Sequence, residues 1–364
     1  LHTSVDLNYN KNTLAYYQSA KELLLPAELV EDIEGVAVQL GKRTYYFRGG
    51  ETPFNNSCSA NIASNKYCAN KMLERAGIPV PKATAIHVDD FHNGLLEEVI
   101  ADLSFPLVVK PSKEGRLGRD VVCNIQTMDQ LKAFMEDIFP AYEFLSIEEF
   151  HGNLNSYRVL MFRQRILGVV RRYPAHVIGD GQHTISELVE LANAERARLS
   201  DTLKPIQIDG ECQIRLSELG MSINDIPKLN ERVDLCYTCN ATRGGTYETI
   251  KTRVCRENRR LLKKAAATLN LAVAGLDIEC VDLTIPIEES GGVIIEANPA
   301  PSVRIHETPQ KGKARQVTKI IVRSLIYRHP LSYLHVLYKH NRTAFYVRSL
   351  ILLPILYFFY RKLI

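Results

Sequence analysis

Between residues 60 and 300, short β-branched runs alternate with stretches whose apolar residues recur at helical spacing. FPLVVK at 105–110 reads as a buried strand that empties into the polar loop PSKEGRLGRD, which carries Gly115 and Gly118. Further strands are expected at 145–150, 157–162 and 165–173, and VAVQL at 36–40 faces TYYF at 44–47 across the hairpin turn LGKR. In NIASNKYCANKMLERAG, Ile62, Cys68, Met72 and Ala76 predict one helix, closed by a left-handed Gly77 and stopped by Pro79 and Pro81. Thr127 with Gln130, and Thr184 with Glu187, have capping-box spacing and open two more helices. The first turns Leu131, Phe134, Met135 and Ile138 inward, and the second runs to about Arg198. Residues 256–271 predict a late helix with Leu261, Leu262, Ala265 and Leu269 facing inward. Strands alternating with helices indicate an α/β or α+β fold.

A chain of 364 residues suggests two or three lobes, and 46% hydrophobic with 24% charged residues excludes global disorder. Forty-five basic against 41 acidic residues give a net charge of +4, which calls for no nucleic-acid partner. Tyr and Phe form no stacking platform either. Eight cysteines are too few for a disulfide scaffold, and Cys236 and Cys239 form a CxxC without a second pair at zinc spacing. A reducing, cytoplasmic compartment is the simplest expectation. The first twenty residues are polar and do not read as a signal peptide. The start at Leu1 reads as a trimmed chain or a fragment. SLILLPILYFFY at 349–360 stands between Arg348 and the pair Arg361–Lys362, and Pro354 interrupts it. Three readings of this tail stay open: a helix docked on the protein, membrane-surface attachment, or a span.

Two late strands end in acidic residues. Alternation puts Asp277 and Glu279 on one face of the first, and Glu296 and Asn298 on one face of the second. If the faces meet, Asp277, Glu296 and Asn298 offer an all-oxygen site for a hard cation such as magnesium. Glu279 and Asp282 read equally well as ordinary surface acids. Lys110 ends an apolar strand just before a basic glycine loop, a setting suited to phosphates. Lys66 projects from the first helix toward the same region or into solvent. The loop is not a Walker A motif, and no GxGxxG follows a strand. Arg171, Arg172 and Arg304 supply guanidinium forks for phosphate or carboxylate. His176, His183 and His306 lack metal spacing and read as structural hydrogen-bonders.

Residues from about 60 to 327 resemble the ATP-grasp domain of cyanophycin synthetase. The likeness is carried by RRYPAHVIGDGQHTISELVELAN at 171–193, NATRGGT at 240–246, AGLDIECVD at 274–282 and IIEANPAPSVRIH at 294–306. It implies an α+β ATP-grasp fold, with two lobes clamping ATP. The expected division is a segment at 1–60 like the end of a preceding domain, the ATP-grasp domain at 61–327, and the apolar basic tail at 328–364. The resemblance further implies that Lys66 and Lys110 contact ATP, that Gly115 and Gly118 cover its phosphates, and that Glu148 or Glu149 meets adenine and ribose. Asp277, Glu296 and Asn298 match the family's magnesium ligands, a set that manganese also fits. Arg304 matches an arginine near the transferring phosphate and acyl substrate, and Arg172 is expected to serve the same region.

The implied activity joins a carboxylate to an amine through an acyl phosphate, on an amino acid or short peptide. Three departures stand out. Arg243 replaces a small polar residue in NATRGGT, which resembles the family's substrate-side glycine loop, and Asp120 and Ser302 stand where the family usually has glycine. Asp120 would repel phosphate unless turned away or paired. The Mur-ligase-like domain of cyanophycin synthetases is not among these residues, so a complete polymerase is not expected from them alone. The alternatives are a nucleotide-binding regulatory or inactive module, and transfer to a non-amine nucleophile. Homo-oligomerisation and membrane contact through the tail complete the expected partners.

Overall fold

A computed structural model describes residues 9–112, 120–152, 154–199, 204–250 and 253–363. In chain order, the first elements are α1 (Lys11–Glu22), β1 (Ala27–Val30), β2 (Gly35–Leu40) and β3 (Arg43–Phe47). Next come α2 (Ser57–Ser64), α3 (Lys66–Arg75), β4 (Ala83–His87), α4 (Val88–His92), α5 (Leu96–Val99), β5 (Leu107–Pro111) and β6 (Val122–Ile125). They are followed by α6 (Met128–Ile138), β7 (Phe144–Glu149), β8 (Asn155–Phe162), β9 (Arg165–Tyr173), β10 (His176–Ile178), α7 (Ile185–Leu199) and α8 (Gly210–Glu218). Then β11 (Arg232–Asp234), β12 (Thr246–Thr249), α9 (Arg256–Thr268), β13 (Val273–Cys280) and β14 (Val293–Asn298). Four helices close the order: α10 (Arg304–Glu307), α11 (Val317–Arg328), α12 (Pro330–Lys339) and α13 (Ala344–Leu363).

The chain divides into two compact units, Asn55–Pro299 with Pro309–Ala314, and Leu1–Phe54 with Ala300–Thr308 and Arg315–Ile364. The early and late segments of the chain thus share one unit. In that unit β1, β2 and β3 form an antiparallel sheet, and the left-handed Gly41 turns β2 into β3. Tyr16 of α1 stacks on Phe47 of β3 at 4.7 Å between centroids. Val317, Ile321, Val322 and Leu325 line the buried side of α11, and the Ser19 and Thr318 hydroxyls bond at 2.7 Å. The apolar end of the tail is one helix, α13, and most of its apolar residues are exposed. The docked reading therefore does not hold: exposed apolar side chains surround α13, where packing against a domain needs one buried stripe.

The larger unit is α+β, with three sheets, all of them antiparallel. The orders are β4-β7-β5-β6, β12-β9-β8-β13-β14, and the small pair β10-β11. Each has its own core. Leu107, Val109, Leu131, Met135, Leu145 and Ile147 pack together on the four-stranded sheet. Leu73, Leu262, Ala265, Leu276, Ile278 and Ile294 do so on the five-stranded sheet, and α7 and α8 close a third core over β10 and β11.

Two of the predicted helical features need qualification. The helix expected through Ile62 and Ala76 is two helices, because Asn65 leaves the helical region (φ −88°, ψ 108°) and turns its side chain to cap α3 through Cys68 N. The buried face of α3 is Ala69, Asn70 and Leu73, while Cys68 is exposed. Gly77 does take φ +65°. The Thr184–Glu187 capping box forms, with bonds of 2.8 and 3.3 Å exchanged, whereas at Thr127 only the forward cap is made: Gln130 N reaches Thr127 Oγ1 at 3.3 Å, and Gln130 Oε1 accepts from Gln126 N at 2.9 Å instead.

Candidate functional site

Strand alternation buries Leu107 and Val109 in the sheet core and sends Lys110 to the opposite face, opposite Ser146 of β7. There it is still buried, 8% exposed, so its ammonium needs a partner. Glu148 provides one: Lys110 Nζ lies 2.7 Å from Glu148 Oε2, and Ser146 Oγ donates to Oε1 at 3.1 Å. Burial alone would lower the Lys110 pKa, but the Glu148 carboxylate, and after it Glu296, outweigh burial and raise it. Glu149 is half-buried and accepts a bond from Ser104 N. Lys66 stands in the first turn of α3, where its backbone N–H meets Ser112 O at 3.1 Å. A pocket against α3 is lined by Lys66, Asn70 and Glu296. Gly115 and Gly118 lie outside the described residues.

On the five-stranded sheet the register sets charged residues in two rows. One row runs Arg158, Asp277, Glu296 across β8, β13 and β14, and the next runs Arg172, Ser156, Glu279 across β9, β8 and β13. Asn298 follows Glu296 by two residues, hence on the same face. Asp277 is buried and held from two sides. Arg158 grips both oxygens, with Nη2 2.9 Å from Oδ2 and Nε on Oδ1, while Arg172 Nη1 lies 2.8 Å from Oδ2. Burial would raise the Asp277 pKa, but the two guanidiniums overcome it and hold the carboxyl below its usual range. Ser156 Oγ accepts from Arg172 Nη2 at 2.9 Å, and the Arg172 pKa, which burial would lower, is raised by Asp277.

The donor set at this row is two carboxylates and one amide, the hard oxygen chemistry that suits magnesium. Among the described residues no three His, Cys, Asp or Glu cluster in metal-holding fashion. The Asp277 carboxylate is engaged by Arg158 and Arg172, so any fit to a hard cation rests mainly on Glu296 and Asn298. Arg304 belongs to the other unit, where it opens α10 and its N–H meets Asn12 Oδ1 at 3.3 Å.

The departures from the family pattern have structural accounts. Asp120 takes φ +57°, the region glycine occupies easily, and its carboxylate accepts the Tyr142 hydroxyl proton at 2.6 Å. Arg243 is paired with Asp209 and Glu211 of the α8 region. Gly244 takes φ +92°, and a Cβ there would press on Ile206 at 2.7 Å. Ser302 donates to Asn12 Oδ1. All eight cysteines are free thiols, and burial pushes Cys236 and Cys239 up to about 12, so neither is a thiolate nucleophile at neutral pH. His183 bonds Asp180 at 2.6 Å and His176 meets Pro174 O, both structural roles.

Arg158 escaped the sequence reading, although a lone charge inside the apolar strand SYRVLMF marks a position needing a buried partner. Glu279 is half-buried rather than an ordinary surface acid. Burial raises its pKa from 4.5 to about 7, against the opposing pull of Arg172 and Ser156. Because the folded state then holds this proton longer than the unfolded chain, stability from this group is full below pH 4.5 and falls as pH rises to about 7. Glu279→Gln is expected to remove that fall, worth up to about 3 kcal/mol. Denaturant midpoints at about pH 4.5 and pH 8 measure it, and equal losses in both proteins would refute the assignment.

A family profile described as the RimK-like ATP-grasp domain matches residues 63–228. Cyanophycin synthetase from Trichormus variabilis is 31% identical over 266 residues, 72% of this chain and 29% of that protein. The glutathione biosynthesis bifunctional protein GshAB of Pasteurella multocida is 27% identical over 311 residues, 82% of this chain and 40% of that one. The crystal structure of a bifunctional glutathione synthetase from Pasteurella multocida superposes with a TM-score of 0.60 at 25% identity, covering 88% of this chain and 44% of that one. The chain spans under a third of the length of the cyanophycin synthetases it matches. The antiparallel sheets, the ordered motifs and these likenesses agree: the chain carries an ATP-grasp superfamily domain related to that of the cyanophycin synthetases.

Proposed function

We propose that this chain is an ATP-dependent carboxylate–amine ligase acting on an amino acid or short peptide. The observation that carries the reading is the placement of Lys110, Glu296 and the Arg158–Asp277–Arg172 group within the ATP-grasp unit. Lys110, held by Glu148, offers a fixed ammonium to ATP phosphate oxygens. Lys66, Glu149, Gly115 and Gly118 are assigned to the same nucleotide, and Arg172 to the phosphate and acyl groups. Magnesium, when bound by Glu296, Asn298 and Asp277, supplies neutralisation of phosphate charge.

In the first step a substrate carboxylate oxygen bonds to the γ-phosphorus of ATP, and the bond to the β-phosphate oxygen breaks to release ADP. In the second, an amine nitrogen bonds to the acyl carbon. The C–O bond to phosphate breaks, phosphate leaves with that oxygen, and the amine loses a proton to solvent. No protein nucleophile takes part, in keeping with buried thiols of raised pKa. The chain's work is positioning and fixed positive charge.

A second reading, a nucleotide-binding module without turnover, is favoured by the saturation of Asp277 by two arginines and of Arg243 by two acids. One experiment separates them. Purified protein with Mg-ATP is assayed for ADP release against a matrix of amino acids and short acidic peptides, with product masses read in the same wells. Stimulated release with a mass gain of one residue less water supports the ligase. Nucleotide binding without stimulated release supports the inactive module, and stimulated release with a non-amide product supports another nucleophile.

A further inference from the structure

Helix α13 presents apolar side chains all around its axis: Leu350 is 70% exposed, Leu353 61%, Leu356 61% and Phe358 57%. A helix lying flat on a membrane or docked on a protein buries one stripe and keeps a polar face, which α13 lacks. Its 20 residues extend about 30 Å, the thickness of a bilayer's hydrocarbon core. Aromatic residues mark both ends, Phe345 and Tyr346 at the start and Tyr357 to Tyr360 at the finish. The amphipathic rings of Tyr346, Tyr357 and Tyr360 favour the boundary between headgroups and acyl chains. Arg348 stands near the first end, its guanidinium 4.7 Å from the Tyr338 ring of α12, and Arg361 and Lys362 stand at the other.

Charge decides among the occupants of this surface. From Arg315 to Ile364 there are nine Lys or Arg and no Asp or Glu. A second copy of the chain would bring like charges together, whereas anionic lipid headgroups would neutralise them. We propose that α13 inserts into the hydrocarbon of an anionic lipid bilayer and anchors the chain there, with the flanking basic side chains at the headgroups. The inference is independent of the ligase reading, since it uses no residue of the nucleotide site.

The test is flotation of the full chain with vesicles of phosphatidylcholine containing about 30% phosphatidylglycerol, beside vesicles of phosphatidylcholine alone. The chain is expected to float with the anionic vesicles, severalfold more than with the neutral ones, and to stay bound through a wash at about 1 M salt, because apolar insertion is not screened. The double variant Leu352→Asp with Leu356→Asp is expected to float about tenfold less. Both residues are exposed, so the fold is not at stake, and an unchanged thermal transition verifies this. Protein that stays unfloated with anionic vesicles overturns the proposal. So does release by salt, equal flotation of the double variant, or a lipid-free oligomer that no longer binds vesicles.

Discussion

Glu296→Gln is expected to lower magnesium- and ATP-dependent turnover about a hundredfold or more while leaving the thermal transition almost where it was. Glutamine has the shape of glutamate, and Glu296 is only half-buried, so packing loses little. What disappears is the charge. Glu296 stands opposite Asp277 on the neighbouring strand, near enough to Lys110 to help hold its proton, and among the described residues no arginine grips it in the way Arg158 grips Asp277. A cation at this row would lean on Glu296 first. Turnover and thermal melting of the purified variant measure both halves of the expectation. Unchanged turnover would remove the metal assignment, and a large fall in melting temperature would show that the residue is structural.

Lys110→Met carries the second large effect, and it acts on stability. Among the described residues, the substitution leaves Glu148, 3% exposed, with the Ser146 hydroxyl but without its lysine partner. Removing one partner of such a pair costs about 3–5 kcal/mol, because a buried charge is left uncompensated. Adding Glu148→Leu removes that charge and is expected to restore most of the loss. Nucleotide affinity should not return with it, since the ammonium is still gone. Urea unfolding of the two single variants and the double variant, with nucleotide titrations of each, gives the full cycle. A cost below about 1 kcal/mol for Lys110→Met would mean that the pair is dispensable to the fold. Restored nucleotide affinity in the double variant would refute the phosphate role.

Much of the architecture is legible from the residues because it is local. The strands near 145–173, the N-cap at Thr127, the capping box at Thr184 and the turn at Gly77 follow from spacing and side-chain chemistry over a few residues. Asn65 was harder to read. Apolar spacing continues through it, and only the cap it forms with Cys68 N shows that one helix has become two. The site divides in the same way. Alternation put Glu296 and Asn298 on one face, and the register sets Asp277 opposite Glu296. The guanidiniums closing on Asp277 were not legible, because Arg158 and Arg172 come from two other strands more than a hundred residues earlier. The sequence leaves Glu279 open for a related reason: its burial, and the raised pKa that follows, depend on neighbours that the adjoining sequence does not name.

The route through an acyl phosphate can be followed by a single label. A carboxylate substrate that stimulates ADP release is prepared with oxygen-18 in both carboxyl oxygens and turned over with Mg-ATP and an amine. The ligase account predicts one labelled oxygen in each inorganic phosphate released, because the oxygen that attacks phosphorus leaves with it when the amide forms. Unlabelled phosphate with both labels retained in the carboxyl group would contradict the account.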